Sequence, residues 1–242
     1  MMKAVVLEKT CKAEDLKITE VKIPKIKKNW VLIKILGFGI NRAEIILRNH
    51  EADENYINLP IIPGIECVGM IIDSSNTKFN NGDKVTALMG GMGRNFNGGY
   101  AEYALLPEKI VFKIDENTFN NLTLEEIIAI PETYFTAYGS IKSLNLKKED
   151  TLLVRGGTSA LGLSTIQLAK AIGCKIYATS RNKDKFHKLK TIGVNECFID
   201  DGNLAEKVKC DKLLDLIGPK TLEDSMKTLN KGGICCITGI LG

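Results

Sequence analysis

The sequence predicts an α/β protein in two parts, a small β-barrel-like domain followed by a doubly wound parallel sheet. Three observations predict it. Residues 1–115 break into many short apolar runs punctuated by glycine and proline, as strands and tight turns do. Residues 151–172 read as buried strand, glycine loop and helix. After that, strand-like runs recur at βαβ spacing, which argues for a parallel sheet. The chain has 242 residues, 44% of them hydrophobic, enough for one large or two small cores.

Taken in order, residues 3–7, 16–21 and 30–35 are strand candidates, the second alternating as a half-buried strand does. Residues 59–64 form a turn with two prolines. Residues 66–72 and 84–88 are further strands, separated by a turn at 81–83, and residues 98–104 open one more. Residues 120–143 read as helix, turn, helix, broken at Pro131.

The central stretch begins with the apolar run 151–154. The loop Gly156, Gly157, Thr158, Ser159, Ala160, Leu161 and Gly162 follows, and the pattern turns helical from Ala160. Ser164, Gln167 and Lys170 mark a narrow polar stripe on that helix. Strand, glycine loop and helix in this order set backbone N–H groups and a helix N-terminus against a phosphate. The loop is one glycine short of the full dinucleotide fingerprint and is weak taken alone; the other reading is an ordinary strand-to-helix turn. Ser159 stands where the central glycine belongs, and either crowds a pyrophosphate or donates its hydroxyl to one.

Further strands are expected at 175–179, 196–199, 212–217 and 233–238. The end of the second strand of this sheet bears on the nucleotide. An NAD site wants an acid there for the ribose 2′-OH, yet no acid occurs before Asp184. Ser180, Arg181 and Lys185, with Lys183 beside them, suit a 2′-phosphate, so NADPH is the expected cofactor; the bland alternative is a solvated basic loop. Ile217 and Gly239 follow strand ends that line the ligand crevice of an open α/β sheet, and are expected to border the nicotinamide.

Composition excludes several classes. The net charge is +4, with lysines scattered among acids, so nucleic acid is not implied. No apolar run approaches membrane-spanning length, and the N-terminus lacks a signal peptide pattern. Seven irregularly spaced cysteines suit reduced thiols in a cytoplasmic protein. Cys235 and Cys236 sit in an apolar strand pattern and read as packing residues.

The order of motifs then carries a resemblance. Residues 29–35, Gly37-x-Gly39-Ile40-Asn41-Arg42-Ala43-Glu44, Pro63-Gly64-Ile65-Glu66-Cys67-Val68-Gly69, residues 81–85 and Gly98-Gly99-Tyr100-Ala101-Glu102-Tyr103 resemble the catalytic domain of the medium-chain dehydrogenase/reductase family. Within it the chain is most similar to the zinc-independent, zeta-crystallin-like quinone oxidoreductases. The resemblance implies a GroES-like domain over residues 1–118 and a Rossmann domain over 119–242. It also implies Asn41, Arg48 and His50 as catalytic candidates, and Thr136 near the nicotinamide. Loop or helix-end roles are the competing reading for Arg48 and His50, and a backbone-bonded helix threonine for Thr136. Asp201 departs from the pattern, since many quinone oxidoreductases carry a cofactor-contacting tyrosine there.

Metal is not expected. The family's zinc enzymes carry Cys near Gly39 and His at Ile65, and neither replacement offers a ligand atom. His50, Glu66 and Cys67 are the remaining donors, at an unusual spacing. Without a metal the acceptor must spread its own charge as hydride arrives, which favours a quinone or an α,β-unsaturated carbonyl over a simple alcohol. The rivals are a catalytically inactive NADPH-binding protein, sensory or structural, and a zinc-type alcohol dehydrogenase relative. The family usually continues past the fifth strand, so the chain reads as C-terminally truncated. Its strand at 233–238 is then expected to be an apolar edge that self-associates into a homo-oligomer.

Overall fold

The computed structural model describes residues 1–239. It contains two compact units, one from Met1 to Glu132 and one from Thr133 onward.

The first unit holds β1 (Met2–Val5), β2 (Ile18–Val21), β3 (Trp30–Gly37), α1 (Arg42–Ile46), β4 (Glu66–Asp73), β5 (Lys84–Leu88), β6 (Tyr103–Pro107) and β7 (Val111–Lys113). Two short helices close it, α2 (Glu116–Asn121) and α3 (Leu124–Ile128). The main sheet is antiparallel, in the order β6-β3-β4-β5-β7, and curls into a half-barrel. Alternation builds its core: Val31 and Ile33 of β3 are fully buried and meet Ile71, Val85 and Leu106. The unit runs beyond residue 118 for a packing reason. Ile128 of α3 lies so close over Gly37 that a Cβ there would fall 2.1 Å from its Cδ1.

Two sequence expectations change here, and one holds. β2 does not bury an alternating face: it pairs only with β1 in a two-stranded ribbon, and Ile18 is 72% exposed. The strand expected at 98–104 starts at Tyr103. Gly98 and Gly99 instead press against the backbone around Gly64 and Glu66, leaving no room for side chains, with hypothetical Cβ contacts of 2.1 and 2.3 Å. Residues 120–143 hold the expected helix, turn and helix, α3 and then α4 (Pro131–Leu144); Pro131 is the first residue of α4, where its missing N–H costs nothing.

The second unit continues with β8 (Thr151–Arg155), α5 (Ala160–Ile172), β9 (Lys175–Ser180), α6 (Phe186–Thr191), β10 (Glu196–Ile199), β11 (Cys210–Asp215), α7 (Leu222–Lys227) and β12 (Leu229–Ile237). All neighbouring strands are parallel, in the order β10-β9-β8-β11-β12. This is the doubly wound, Rossmann-like order, with β8 at its centre and helices covering both faces. Leu152 and Val154 of β8 therefore join one buried cluster and Leu153 another. The polar stripe on α5 is only partly solvated. Gln167 and Lys170 are exposed, but Ser164 is buried and returns its hydroxyl to Leu161 O at 3.0 Å.

Among the described residues no helix is long and apolar enough to cross a membrane. All seven cysteines are unpaired. Burial pushes the Cys67 thiol up to about 12, as expected of an inert core cysteine.

Leu152 is fully buried in the central strand, so Leu152→Ala should cost about 2–5 kcal/mol. Urea unfolding followed by circular dichroism measures it, and a loss under about 1 kcal/mol would mean that the site collapses around the smaller side chain.

Candidate functional site

In the second unit the glycine loop joins β8 to α5. Gly156 adopts φ +88°, a conformation that side-chain-bearing residues rarely take. A Cβ on Gly162 would lie 2.7 Å from Gly156 O, and one on Gly157 would lie 2.8 Å from the Ala178 Cβ. Both glycines thus let α5 and the loop close down on the strand ends. Ser159 caps the helix: its Oγ accepts from Gly162 N at 3.1 Å and donates to Gly156 O at 2.9 Å. In this arrangement the hydroxyl is engaged by the loop itself. Ala160 and Leu161, the first residues of α5, have no carbonyl a turn behind them inside the helix. No acid occupies the first turn of α5. The loop thus suits a dinucleotide pyrophosphate, with Gly156, Gly157, Thr158, Ser159, Ala160, Leu161 and Gly162 supplying the cradle.

Beyond β9, Ser180 is buried and its Oγ accepts from Asn182 N at 3.1 Å. Arg181 and Lys185 are exposed, and neither enters an ion pair or side-chain hydrogen bond among the described residues. Asp201 is engaged elsewhere, accepting from Asn203 N and pairing with Lys207. Its carboxyl is held below the usual range by the Lys207 hydrogen bond first and the Asn203 amide second. Thr136 is half-buried on α4, and its carbonyl accepts from Ser140 Oγ at 2.8 Å. Ile217 donates its N–H to the Asp215 carboxylate at 2.8 Å, and Gly239 follows β12 with φ +92°.

The first unit brings a second polar group together. Asn41 precedes α1, and its side-chain amide donates to Glu66 Oε1 at 2.7 Å. The other Glu66 oxygen accepts from Glu132 N at 2.9 Å. Glu44 accepts from Asn41 N at 2.7 Å and from Ile65 N at 2.9 Å. Burial holds the Glu44 carboxyl above its ordinary value of 4.5, against the pull of those amides. The Tyr100 hydroxyl is buried, faces the Glu44 charge, and makes no well-formed hydrogen bond among the described residues. Burial first, and that carboxylate second, hold its phenol above the usual range.

Arg48 and His50 lie outside this group, on the π-helical turn Leu47–Glu51 that continues α1. Arg48 Nη1 donates to Cys11 O at 2.6 Å, and Cys11 N donates back to Arg48 O, so Arg48 ties down the 9–12 loop. His50 is exposed. Neither Glu44 nor Tyr100 was among the candidate residues named from the sequence. Glu44 stood in a quoted motif, three residues after Asn41, and that capping-box spacing was the available signal.

The donor set bears on metal. A Cβ at Gly39 would sit 2.1 Å from Glu66 Oε1, so Glu66 fills the space that a ligand side chain would need. Cys67 belongs to the sheet core with Val31 and Ile33. Among the described residues no three His, Cys, Asp or Glu side chains are gathered to hold an ion.

Glu44 gives a pH prediction. Its pKa is raised in the folded state, so the folded protein binds that proton more tightly than the unfolded chain does. The contribution to stability is therefore present at acid pH and lost as pH climbs above about 4.5 through the raised value. Glu44→Gln should abolish this dependence. It should also cost about 1–3 kcal/mol at neutral pH, since its NH2 faces a backbone N–H. Urea unfolding at pH 5 and 7.5 checks both; an unchanged pH dependence would show that Glu44 is not its source.

The family model described as alcohol dehydrogenase GroES-like domain matches residues 27–116. The model described as zinc-binding dehydrogenase matches residues 160–242. The human quinone oxidoreductase is 29% identical over 235 residues, covering 93% of this chain and 68% of that protein. A 2-methylene-furan-3-one reductase of Solanum lycopersicum is 29% identical over 91% of this chain and 58% of its own length. The solved quinone oxidoreductase of Coxiella burnetii superposes with a TM-score of 0.86 at 26% identity, over 98% of this chain and 75% of that one. With both units, the motif order and these relatives in agreement, the chain is similar across both of its units to the oxidoreductases of the medium-chain dehydrogenase/reductase family, and to quinone oxidoreductases among them.

Proposed function

We propose that this protein transfers hydride from NADPH to a quinone or an α,β-unsaturated carbonyl without a metal ion. The observation that carries the reading is the glycine loop, backed by a strand end whose free cations include Arg181 and whose first acid is Asp184. The cofactor, when bound, supplies the hydride. The Ala160 and Leu161 amides and the α5 dipole would hold its pyrophosphate. Ser180, Arg181 and Lys185 would hold its 2′-phosphate. Thr136, Ile217 and Gly239 would border the nicotinamide.

Asn41, Arg48 and His50 are the first unit's candidates for handling the acceptor. Asn41 is the best prepared of them: Glu66 fixes its amide by accepting one N–H and leaves the second N–H to offer. Residues 39 and 65 carry no ligand atoms, which supports acceptors that delocalise their own negative charge. The name of the tomato relative describes such an acceptor, a conjugated ketone with an exocyclic methylene. The unpaired cysteines support a cytoplasmic location. β12, paired only with β11 among the described residues, is the edge through which a homo-oligomer would form. Light scattering that reports a monomer would remove that last element.

NADPH oxidation with a panel of quinones and conjugated enones tests the reading. Turnover should survive chelators, and zinc should be substoichiometric by elemental analysis. Arg181→Ala should weaken NADPH binding by about 1–3 kcal/mol, the range of charge-assisted hydrogen bonds, and leave NADH nearly unchanged. Equal losses for both cofactors would show that Arg181 does not read the phosphate.

A further inference from the structure

Beneath the glycine loop lies a buried polar framework that the proposed reaction does not use. Arg155, the last residue of β8, is fully buried. Its Nε and Nη2 donate to the two oxygens of Asp200 at 2.9 and 2.6 Å. Its Nη1 meets Asp224 Oδ2 at 2.9 Å, Ser225 Oγ at 2.8 Å and Thr221 O at 3.1 Å. Two chains of hydrogen bonds leave this guanidinium. On one side Asp200 Oδ2 accepts from Thr179 Oγ1 at 3.2 Å, and that oxygen accepts from Gly156 N at 3.0 Å. On the other side Ser225 Oγ donates to Asp215 Oδ2 at 2.5 Å, and Asp215 Oδ1 accepts from Ile217 N at 2.8 Å and Gly218 N at 3.0 Å.

We propose that Arg155 is a positioning residue for the cofactor, holding the first amide of the glycine loop through Asp200 and Thr179 and the Ile217–Gly218 bend through Ser225 and Asp215. The inference rests on the proposed function, which assigns both segments to the cofactor. Five donors in a rigid fork let one side chain at the end of β8 reach the end of β10 and α7 together, and through Ser225 the end of β11; an ammonium offers no such span. Stability is a poor explanation for the arrangement. A buried ion cluster is costly to desolvate, and apolar side chains of equal volume often hold a fold as well. What apolar residues cannot do is accept from Gly156 N, Ile217 N and Gly218 N, which sit where the backbone must hold one shape to meet a ligand.

Conservative substitutions separate positioning from bulk stability. Thr179→Val keeps the volume and removes the hydroxyl that joins Gly156 N to Asp200. Ser225→Ala removes the hydroxyl that joins Arg155 to Asp215. Thr179→Ser is the rescue. In the full chain, NADPH titration followed by cofactor fluorescence should give about tenfold weaker binding for Thr179→Val and for Ser225→Ala, and near-native binding for Thr179→Ser. Ligand-free hydrogen exchange should show faster exchange of the amides at 156–162 in Thr179→Val and at 217–218 in Ser225→Ala, with slow exchange elsewhere retained. Native NADPH affinity and native exchange in folded Thr179→Val would overturn the proposal, as would failure of Thr179→Ser to recover either. If the wild type binds no dinucleotide, the functional reading falls. The exchange experiment, which needs no ligand, then still decides whether the framework holds the two segments.

Discussion

The second unit depends on one constraint, that a guanidinium placed at the end of the central strand must be neutralised without water. Arg155 is carried inward by the same β8 that supplies Leu152, Leu153 and Val154 to the cores on both faces of the sheet. An unpaired charge there would be prohibitive. The chain answers with carboxylates from the end of β10 and from α7, and with a hydroxyl shared between α7 and the end of β11. Strand ends that would otherwise be independent loops are thereby fastened to one another. The crevice at the C-terminal ends of the strands, where open α/β sheets take their ligands, inherits its shape from this fastening.

The first unit solves a similar problem with two acids. Glu44 and Glu66 are buried, and each accepts two N–H donors, most of them backbone amides. Carboxylates satisfied in this way act as structural staples. Glu66 joins β4 to the residue before α1 and to the chain entering α4. Glu44 joins α1 to the turn that enters β4. Asn41 is oriented as a by-product, its amide fixed by one staple and its backbone by the other.

Much of this was legible in the sequence for local reasons. The runs that became β3, β4, β5 and β8–β12 are short, apolar and bounded by turn residues, so their period identifies them. The glycine loop announced itself because its residue types are needed by its own backbone. What escaped was non-local. Arg155 reads as the first polar residue after a strand, and its partners Asp200, Thr221, Asp224 and Ser225 lie 45 to 70 positions further on. No periodicity joins them. β2 was misread in the other direction: its alternation is real, but of its four residues only Val21 packs on the cluster that buries β1, and Ile18 to Glu20 face outward. Residues 98–102 look like a strand in composition and are a tight backbone crossing in fact, because Gly98 and Gly99 are there for their lack of a side chain.

The contact between position 39 and Glu66 has a consequence for ancestry. A side chain at 39 and the present rotamer of Glu66 exclude each other, since they claim one volume. A cysteine at 39 therefore requires Glu66 to move. The glutamate would have to swing away first, releasing Asn41 and the amide of Glu132, and that intermediate would carry a buried carboxylate with nothing to accept from. Gly39 and the paired Glu66 therefore behave as one inherited character. The route from them to a cysteine-bearing arrangement passes through the loss of both Glu66 hydrogen bonds, so the two positions are expected to change together.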